Sequence, residues 1–401
     1  MSRMAGNVDA EEYVLTTAPG HALLAEVAAV AEPRPADVAQ WRRGRSAEIV
    51  AAAMRIAESR RRGRSKFSRA GEMWFDAVGL EQATSEVVAN HKAERFRNAL
   101  VVDLCCGIGG DSRALAGVGH VLSIDVDEGM VRRTRWNAGV YGVAERLAPF
   151  RSSAEEFPIP PDAYVHIDPD RRARGRFRAK SIVDYAPSLD FLLALPSKVK
   201  AGAIKLGPAG DFDLHFDSPA YELEVVSLSG ECKEATLWFG RVANARRRAT
   251  VLPAGATISD RDLPESSLRA EVSELGAWVL EPDPALIRAG LLDGFARAHA
   301  ARRFAEGVDL LTSDQPIDSP FLVAFQVEES IPLDLKRLRR IIDDKGLSQL
   351  EIKTRGVDLA PDDLRRRLKT QGGRSGTLIL VGGGGRSIAI IARRVRDQAN
   401  P

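Results

Sequence analysis

Residues 99–127, ALVVDLCCGIGGDSRALAGVGHVLSIDVD, decide the fold class. An apolar run ends at Asp103, glycines interrupt the chain within residues 107–110, a helix-forming stretch follows, and a second apolar run ends at Asp125. Short continuous apolar runs of this kind are typical of strands buried on both faces of a sheet. The stretch therefore predicts a strand, a glycine turn, a helix and a second parallel strand, which together form a βαβ unit.

The same alternation continues downstream. The further segments are AYVHIDPD (163–170), the helical YAPSLDFLLALPSKV (185–199), AGAIKLGP (201–208), YELEVVSLSG (221–230) and ATLWFGRV (235–242). The last two segments flank the turn-like GECKE, so this order predicts an α/β fold with a mostly parallel sheet that finishes in an antiparallel hairpin. We expect Cys232 to lie in the hairpin turn.

Helical segments surround this sheet, and a small separate unit follows it. Apolar spacing predicts one helix over 81–97 and another over 284–304, within an N-terminal helical region (1–95) and a connecting region (251–330). From Ile331 the order is helix, strand, helix and two strands, which predicts an α+β domain over 331–397.

Composition limits the class of protein. The 401 residues are 44% apolar and 28% charged, as in an ordinary soluble protein. No run of about twenty apolar residues predicts a membrane span, and no signal peptide is evident in the first thirty residues. Three cysteines, two of them adjacent, do not form a disulfide framework, so we expect a cytoplasmic protein.

Charge is concentrated near the two ends of the chain. Residues 42–69 and 331–401 each carry a local charge of +8, which leaves −14 for the remainder of a chain with net charge +2. Such runs are either solvated helix surfaces or faces that attract a polyanion, and the sequence leaves both interpretations open.

The glycine turn and the two acids indicate a ligand site. Glycines let the backbone approach a ligand, and an acid at the end of the second strand, Asp125, can accept hydrogen bonds from ribose hydroxyls. A dinucleotide fingerprint requires a third glycine where this chain has Ser112, so an oxidoreductase is disfavoured. An acid four residues before the first glycine, Asp103 before Gly107, resembles motif I of class I S-adenosylmethionine-dependent methyltransferases.

That resemblance implies S-adenosylmethionine as the cofactor and a methyltransferase domain over 96–250. The cofactor-binding residues that it implies are Gln82, Thr84, Asp103, Cys105, Gly107, Gly109, Asp111, Asp125, Val126, Ser153 and Ala154. Gln82 and Thr84 would lie at a helix start near the methionine end, with Lys66 and Phe67 closing over the site.

The segment 165–172, VHIDPDRR, ends a strand where methyltransferases place their acceptor residues. Asp168, Pro169 and Arg171 are the candidate catalytic residues. Enzymes that methylate exocyclic amines follow the acid with two prolines and an aromatic residue, whereas this chain has Asp170 and Arg171 at the last two positions. Methylation of a uracil carbon would require a cysteine nucleophile, and Cys232 is more simply interpreted as a structural or idle thiol.

Over roughly residues 65–395 the chain resembles bacterial class I methyltransferases that carry a C-terminal THUMP-like domain. The segments that carry this resemblance are GLEQAT (79–84), DLCCGIGGD (103–111), AGAIKLGP (201–208), WVLEPDPALIR (278–288) and LEIKTRG (350–356). THUMP domains bind structured RNA, so the resemblance implies methyl transfer to RNA, with tRNA as the first candidate and rRNA as the second.

Other functions remain open at this stage. The chain could be an RNA-binding protein that binds the cofactor without transferring methyl groups, or a methyltransferase that acts on a protein or a small molecule. No histidine or cysteine spacing predicts a metal site, and no membrane association is expected. The sequence does not determine the oligomeric state.

Overall fold

The computed structural model describes residues 2–170, 186–208, 210, 216, 218–264, 268–368, 373–383 and 386–395. The chain divides into two compact units, Met1–Tyr221 with Thr236–Asn244 and Glu222–Ala235 with Ala245–Pro401. The division passes through two neighbouring strands of the larger sheet.

Over the described residues, the α-helices of the first unit include α1 (Ser2–Thr16), α2 (Ala18–Ala28), α3 (Pro35–Trp41), α4 (Ala47–Gly63), α5 (Ala77–Gln82), α6 (Glu86–Ala93), α7 (Gly110–Val118), α8 (Glu128–Val140) and α9 (Leu189–Lys198). The strands of the larger sheet are β1 (Leu100–Leu104), β2 (His120–Asp125), β3 (Leu147–Arg151), β4 (Tyr164–Ile167), β5 (Ala201–Leu206), β6 (Tyr221–Leu228), β7 (Glu231–Gly240), β8 (Arg247–Leu252) and β9 (Ala256–Ser259).

In the described part of the chain, the order of this sheet is β3-β2-β1-β4-β5-β7-β6-β8-β9. The pairs from β3 through β5 are parallel. The chain runs outward from β1 to β3 and then returns to β4 on the other side of β1. A crevice opens at the carboxyl ends of strands where the order reverses in this way, and open α/β sheets bind ligands there. The predicted mostly parallel α/β sheet is confirmed.

The predicted hairpin is present, but its turn is shorter than expected. Ser229 and Gly230 join β6 to β7, and both residues have positive φ, 54° and 79°. Positive φ at both central residues is the requirement of a type I′ turn, whose twist matches that of the flanking strands. Cys232 therefore lies within β7 and not in the turn.

The predicted helix over 81–97 is interrupted. Residues 77–82 form α5, residues 86–93 form α6, and Glu94–Phe96 form a 3-10 turn. Ala83 leaves the helical region with ψ 137°, because the next side chain, Thr84, bonds to Asp111 of α7. A contact with a distant residue thus overrides the local helical preference.

The N-terminal helices α1–α4 share an apolar core that includes Val14, Leu23, Trp41, Val50 and Ile56. Helix α1 is also fixed by Glu11, whose side chain is only 4% exposed. Its carboxylate accepts hydrogen bonds from Trp74 Nε1 at 2.9 Å, Arg133 at 2.7 Å and Arg55 Nε at 3.0 Å. The two guanidinium groups balance the buried charge, and the neutral indole donates a further hydrogen bond to it.

Much of the basic run at 42–69 serves the fold. Arg60 donates to the carbonyls of Glu72 and Met73, and burial lowers its pKa to about 10. Arg61 donates to the carbonyl of Val30 and pairs with Glu58. Further arginines of the run are paired with acids, while Arg42, Arg43, Arg62 and Arg64 are exposed. This run is therefore in large part structural.

The remaining strands of the second unit are β10 (Trp278–Pro282), β11 (Arg302–Arg303), β12 (Leu311–Ser313), β13 (Leu322–Pro332), β14 (Leu347–Arg355), β15 (Arg374–Gly383) and β16 (Arg386–Arg394). Its α-helices are α10 (Pro284–Arg288), α11 (Leu292–Ala298), α12 (Leu335–Asp344) and α13 (Pro361–Leu368). Over the described residues these strands have the order β11-β12-β10-β13-β16-β15-β14, and β14 is parallel to β15. The helix predicted over 284–304 is divided at Gly290 into α10 and α11, and its end is strand β11.

From α12 onward the order of elements is the predicted one. Leu338 and Ile342 of α12, with Leu364 and Leu368 of α13, join one apolar core with residues of β14, β15 and β16. The arginines between these leucines point away from the core and are exposed. No helix in the described ranges has both the length and the apolar character needed to cross a membrane.

Replacing Glu11 with alanine should lower the free energy of unfolding by about 3 kcal/mol, because the buried guanidinium of Arg133, the indole of Trp74 and the more exposed Arg55 all lose their acceptor. Chemical denaturation measures this change. Glu12→Ala is the control: Glu12 makes an exposed pair with Arg132, so we expect a loss below about 1 kcal/mol. Equal losses in the two variants would contradict the anchoring role of Glu11.

Candidate active site

A cavity of about 520 Å³ opens at the carboxyl ends of β1, β2 and β4. This volume is in the range of small-molecule and cofactor sites. Its walls are the loop between β1 and α7, the ends of β2 and β4, and the segment 76–84. The predicted site residues in its lining are Gln82, Thr84, Asp103, Cys105, Gly107, Asp111, Asp125, Val126, Ala154, Asp168 and Pro169.

The loop between β1 and α7 turns sharply. Cys105, Gly107 and Gly109 all have positive φ, between 55° and 81°. At Gly109 a Cβ atom would also meet Thr134 at 3.1 Å, so both conformation and space favour glycine there. The hydroxyl of Thr134 donates to the carbonyl of Gly107 at 2.8 Å and fixes the loop against α8.

Asp125 ends β2 and faces the loop. Its Oδ2 accepts from the backbone N–H of Gly107 at 2.9 Å, and its Oδ1 accepts from that of Asp127 at 2.9 Å. Burial raises the pKa of Asp125 to about 6, although these two hydrogen bonds oppose the rise. The carboxylate is thus held in place at the cavity wall, and further hydrogen-bond donors would favour its ionised form.

Asp103 is almost fully buried, 1% exposed, and both of its oxygens have protein partners. Its Oδ1 lies 2.7 Å from Nδ1 of His166, and its Oδ2 accepts from the hydroxyl of Ser112. The register of the sheet explains this, because Asp103 is paired with Ser123 on β2 and His166 on β4. Ser112, which replaces the third glycine of a dinucleotide site, also accepts from Ser123 at 2.9 Å.

The segment 76–84 forms the wall that faces this loop. Asp76 caps α5, and a Cβ on Gly79 would lie 2.5 Å from Ile108. The resemblance implied that Lys66 closes over the site, and this expectation is wrong. The ammonium of Lys66 instead donates to the carbonyls of Leu80, Glu81 and Ala83 at 2.9 Å each. Phe67 likewise is part of a buried apolar cluster. Gln82 ends α5, and Thr84 lies just before α6.

A buried ionic network lies behind this wall. Asp111 is bound by Thr84 Oγ1 at 2.7 Å and by the Lys92 ammonium at 3.0 Å, and Lys205 Nζ lies 3.9 Å away. Burial alone would raise the pKa of Asp111, but the ammonium groups outweigh it and hold the pKa well below its usual range. Lys205 also lies 2.5 Å from Oδ2 of Asp168. The network therefore reaches from α6 to the end of β4.

The opposite edge of the cavity contains Asp168, Pro169 and Asp170. Burial raises the pKa of Asp168, and the ammonium of Lys205 opposes this rise. Gln82 Nε2 donates to Asp170 Oδ1 at 3.2 Å, which joins this edge to the facing wall. Asp170 follows Pro169 directly, and its carboxylate is already bound by Gln82. The predicted catalytic Arg171 lies outside the described residues.

Of the two cofactor-binding residues predicted after β3, Ser153 and Ala154, one lines the cavity. Ser152, Ala154 and Glu155 line the cavity, whereas Ser153 does not. The hydroxyl of Ser153 accepts from the backbone N–H of Glu156 at 3.2 Å and stabilises the local turn. Val126 lines the cavity and is 63% exposed, so its apolar surface is available to a ligand.

The charge of the cavity restricts its ligand. Within the described residues, its lining contains eight carboxylates, of Asp76, Asp103, Asp111, Asp125, Asp127, Glu155, Asp168 and Asp170, and no lysine or arginine. A pyrophosphate carries negative charge and would be repelled, so the lining does not fit a dinucleotide. The sulfonium and ammonium groups of S-adenosylmethionine are positive, and its ribose hydroxyls donate hydrogen bonds. The residues present fit this cofactor.

The environment of Cys232 does not favour a role as a nucleophile. Burial raises the pKa of Cys232 to about 11, so its thiol stays protonated at neutral pH. The described residues include no group of three or more histidine, cysteine and acidic side chains placed to hold a metal ion.

Sequence reasoning missed Lys92 and Lys205. Lys205 interrupts AGAIKLGP, an otherwise apolar segment, and a charge in a buried strand is a signal of a partner that could have been noticed. Lys92 gave no such signal, because lysines are common on helices.

Comparison with known proteins assigns the family. The chain is 32% identical over 328 residues to the uncharacterized S-adenosylmethionine-dependent methyltransferases of two Mycobacterium tuberculosis strains, CDC 1551 and H37Rv, across 80% of this chain and 88% of each relative. This chain belongs to the S-adenosylmethionine-dependent methyltransferases. The cofactor of this methyltransferase is accordingly S-adenosylmethionine.

Further comparisons agree with this methyltransferase fold. A crystal structure of a candidate methyltransferase from Porphyromonas gingivalis W83 superposes with a TM-score of 0.75 and 24% identity, over 94% of this chain and 98% of that one. Residues 322–394 match the family described as THUMP domain-like, and residues 98–201 match the family described as RNA cap guanine-N2 methyltransferase. The expected THUMP-like domain is confirmed, and its match begins with β13.

Affinity for S-adenosylhomocysteine should depend on the protonation of Asp125. If the ionised carboxylate accepts from the ribose hydroxyls, binding requires the deprotonated form, and the raised pKa of about 6 places the change in the mildly acidic range. We expect a constant Kd above about pH 7 and a loss approaching about tenfold per pH unit well below 6. Calorimetric titration with S-adenosylhomocysteine from pH 5 to 8 measures this pH dependence of the Kd.

Asp125→Asn is the control for this pH profile. This variant should bind S-adenosylhomocysteine more weakly than wild type at neutral pH, and its Kd should not change between pH 7 and pH 5. A variant that keeps the wild-type profile would assign the titration to another carboxylate.

Proposed function

We propose that this methyltransferase transfers the methyl group of S-adenosylmethionine to RNA in the cytoplasm, with tRNA as the first candidate substrate. The observation that carries this proposal is the combination, in one chain, of an acid-lined donor cavity ending at Asp168 and Pro169 with a THUMP-like domain. The match of residues 98–201 to an RNA methyltransferase family supports the same acceptor class.

The chain's own residues have the following roles in this proposal. The loop at Gly107 and Gly109, with Asp125, holds the donor, which supplies a methyl group on a sulfonium. Asp168 and the carbonyl of Pro169 face the acceptor and accept hydrogen bonds from it, as the sequence pattern predicted. Catalysis then consists of alignment and exclusion of water, because no covalent intermediate with the protein is required.

The THUMP-like domain supplies the positive charge that the cavity lacks. Lys336, Arg337 and Arg340 are exposed on α12, and α13 exposes Arg365, Arg366 and Arg367. Arg365 and Arg366 pair with acids on their own helix. The two helices pack into the same apolar core, and their exposed basic side chains are together called the basic surface of α12 and α13. We propose that this surface binds RNA phosphates.

The activity test uses labelled methyl donor with total bacterial tRNA and rRNA, each with and without ribonuclease. We expect label in RNA that ribonuclease releases. Asp168→Asn should reduce transfer at least a hundredfold while the Kd for S-adenosylhomocysteine changes less than about threefold, because Asp168 serves alignment at the acceptor end. Label in protein or small molecules, with none in RNA, would contradict the proposed acceptor.

The RNA-binding surface is tested by Arg337→Glu with Arg340→Glu. Affinity for RNA should fall at least about tenfold, and the dependence of log Kd on log salt should become shallower by about one to two, because two phosphate contacts are lost. Filter binding at several salt concentrations measures both. Arg42→Glu with Arg43→Glu, an equal charge change in the exposed turn after α3, is the control and should leave both values near wild type.

A further inference from the structure

Lys205 lies at a position where three parts of the site meet. The residue belongs to β5 and is only 8% exposed. Its ammonium contacts Asp168 Oδ2 at 2.5 Å after β4, the carbonyl of Gln82 at 3.5 Å at the end of α5, and Asp111 Oδ2 at 3.9 Å in α7. A buried ammonium is tolerated only with such partners. None of the roles proposed above requires a cation here.

The surroundings of Asp168 show what this cation does. The charged groups that act on it are the ammonium groups of Lys205 and Lys92 and the carboxylate of Asp111, and the thiol of Cys105 lies nearby on the β1 loop. Lys92 is directly paired with Asp111 at 3.0 Å. Among the described residues, Lys205 is therefore the cation in direct contact with Asp168, whose side chain is 30% exposed. Without Lys205, the described cation that acts on both Asp168 and the buried Asp111 would be Lys92.

We propose that Lys205 is a positioning residue that keeps Asp168 ionised and binds its Oδ2, so that a carboxylate and not a carboxylic acid stands at the acceptor end of the cavity. Asp168 lines the cavity whereas Lys205 does not, so the negative end of this ion pair faces the donor and favours the positive sulfonium over the neutral thioether of the product. The inference deepens the role of Asp168 in the proposed function. Its test uses donor binding alone, so it stands or falls separately from RNA as the acceptor.

The test measures proton release on ligand binding. Purified full-length protein is titrated calorimetrically at pH 7 with S-adenosylmethionine and with S-adenosylhomocysteine, each in two buffers of different ionisation enthalpy. In wild-type protein the proposal predicts that the two ligands exchange the same number of protons, because Lys205 holds Asp168 ionised before either ligand binds. In Lys205→Met, Asp168 becomes partly protonated. The sulfonium ligand should then release roughly half a proton more than the thioether ligand.

Two controls assign this release. Adding Asp168→Asn to Lys205→Met should abolish the difference between the ligands, and Lys200→Met, which removes an exposed lysine paired with Asp162, should behave as wild type. If Lys205→Met does not fold, Lys205→Gln serves in its place, because its amide can still donate to the Gln82 carbonyl.

The inference is overturned if the charge-removing variant shows no difference between the two ligands, or if the difference persists without the Asp168 carboxyl. A purely structural role for Lys205 predicts the first of these results, because both ligands would then be weakened alike. An excess release that depends on Asp168 supports the proposal.

Discussion

The pairing of Asp111 with Lys92 is the interaction on which the rest of the site depends. Asp111 stands in the first turn of α7, and it is bound from α6 by Lys92 and from the α5–α6 junction by Thr84. A buried carboxylate without partners would protonate or leave the interior, so these contacts are obligatory once Asp111 is placed there. These contacts fix the segment 76–84 against the loop between β1 and α7. The cavity exists because these two walls are held together.

The sheet and the loop between β1 and α7 could be predicted from sequence because the patterns that indicate them lie within short segments. Apolar runs identify buried strands, and the spacing of Asp103, Gly107, Gly109 and Asp125 identifies a ligand turn. The C-terminal helices and strands were predicted for the same reason. The positions of Ser123 and His166 beside Asp103 depend instead on the register between strands, which no single segment encodes.

The parts that escaped prediction are set by contacts between distant segments. The break between α5 and α6 follows from the bond of Thr84 to a residue 27 positions later. Lys66 was expected over the site, but it binds carbonyls at the end of α5, a role that a lysine's sequence context does not reveal. The basic run at 42–69 shows the same limit, since Arg60 and Arg61 donate to backbone groups inside the fold.

The acid-lined cavity and the basic THUMP-like surface impose complementary demands. Eight carboxylates attract a positive donor, but they also repel phosphates, so an RNA acceptor could enter only by its base, with the backbone held outside. Phosphate contacts give affinity and position without reading sequence. If RNA is the acceptor, as proposed, the two charge environments would separate two tasks: carboxylates would surround the donor, and arginines on α12 and α13 would bind the polyanion. On that proposal, a net charge of only +2 does not argue against a nucleic-acid substrate, because the positive charge is concentrated in one domain.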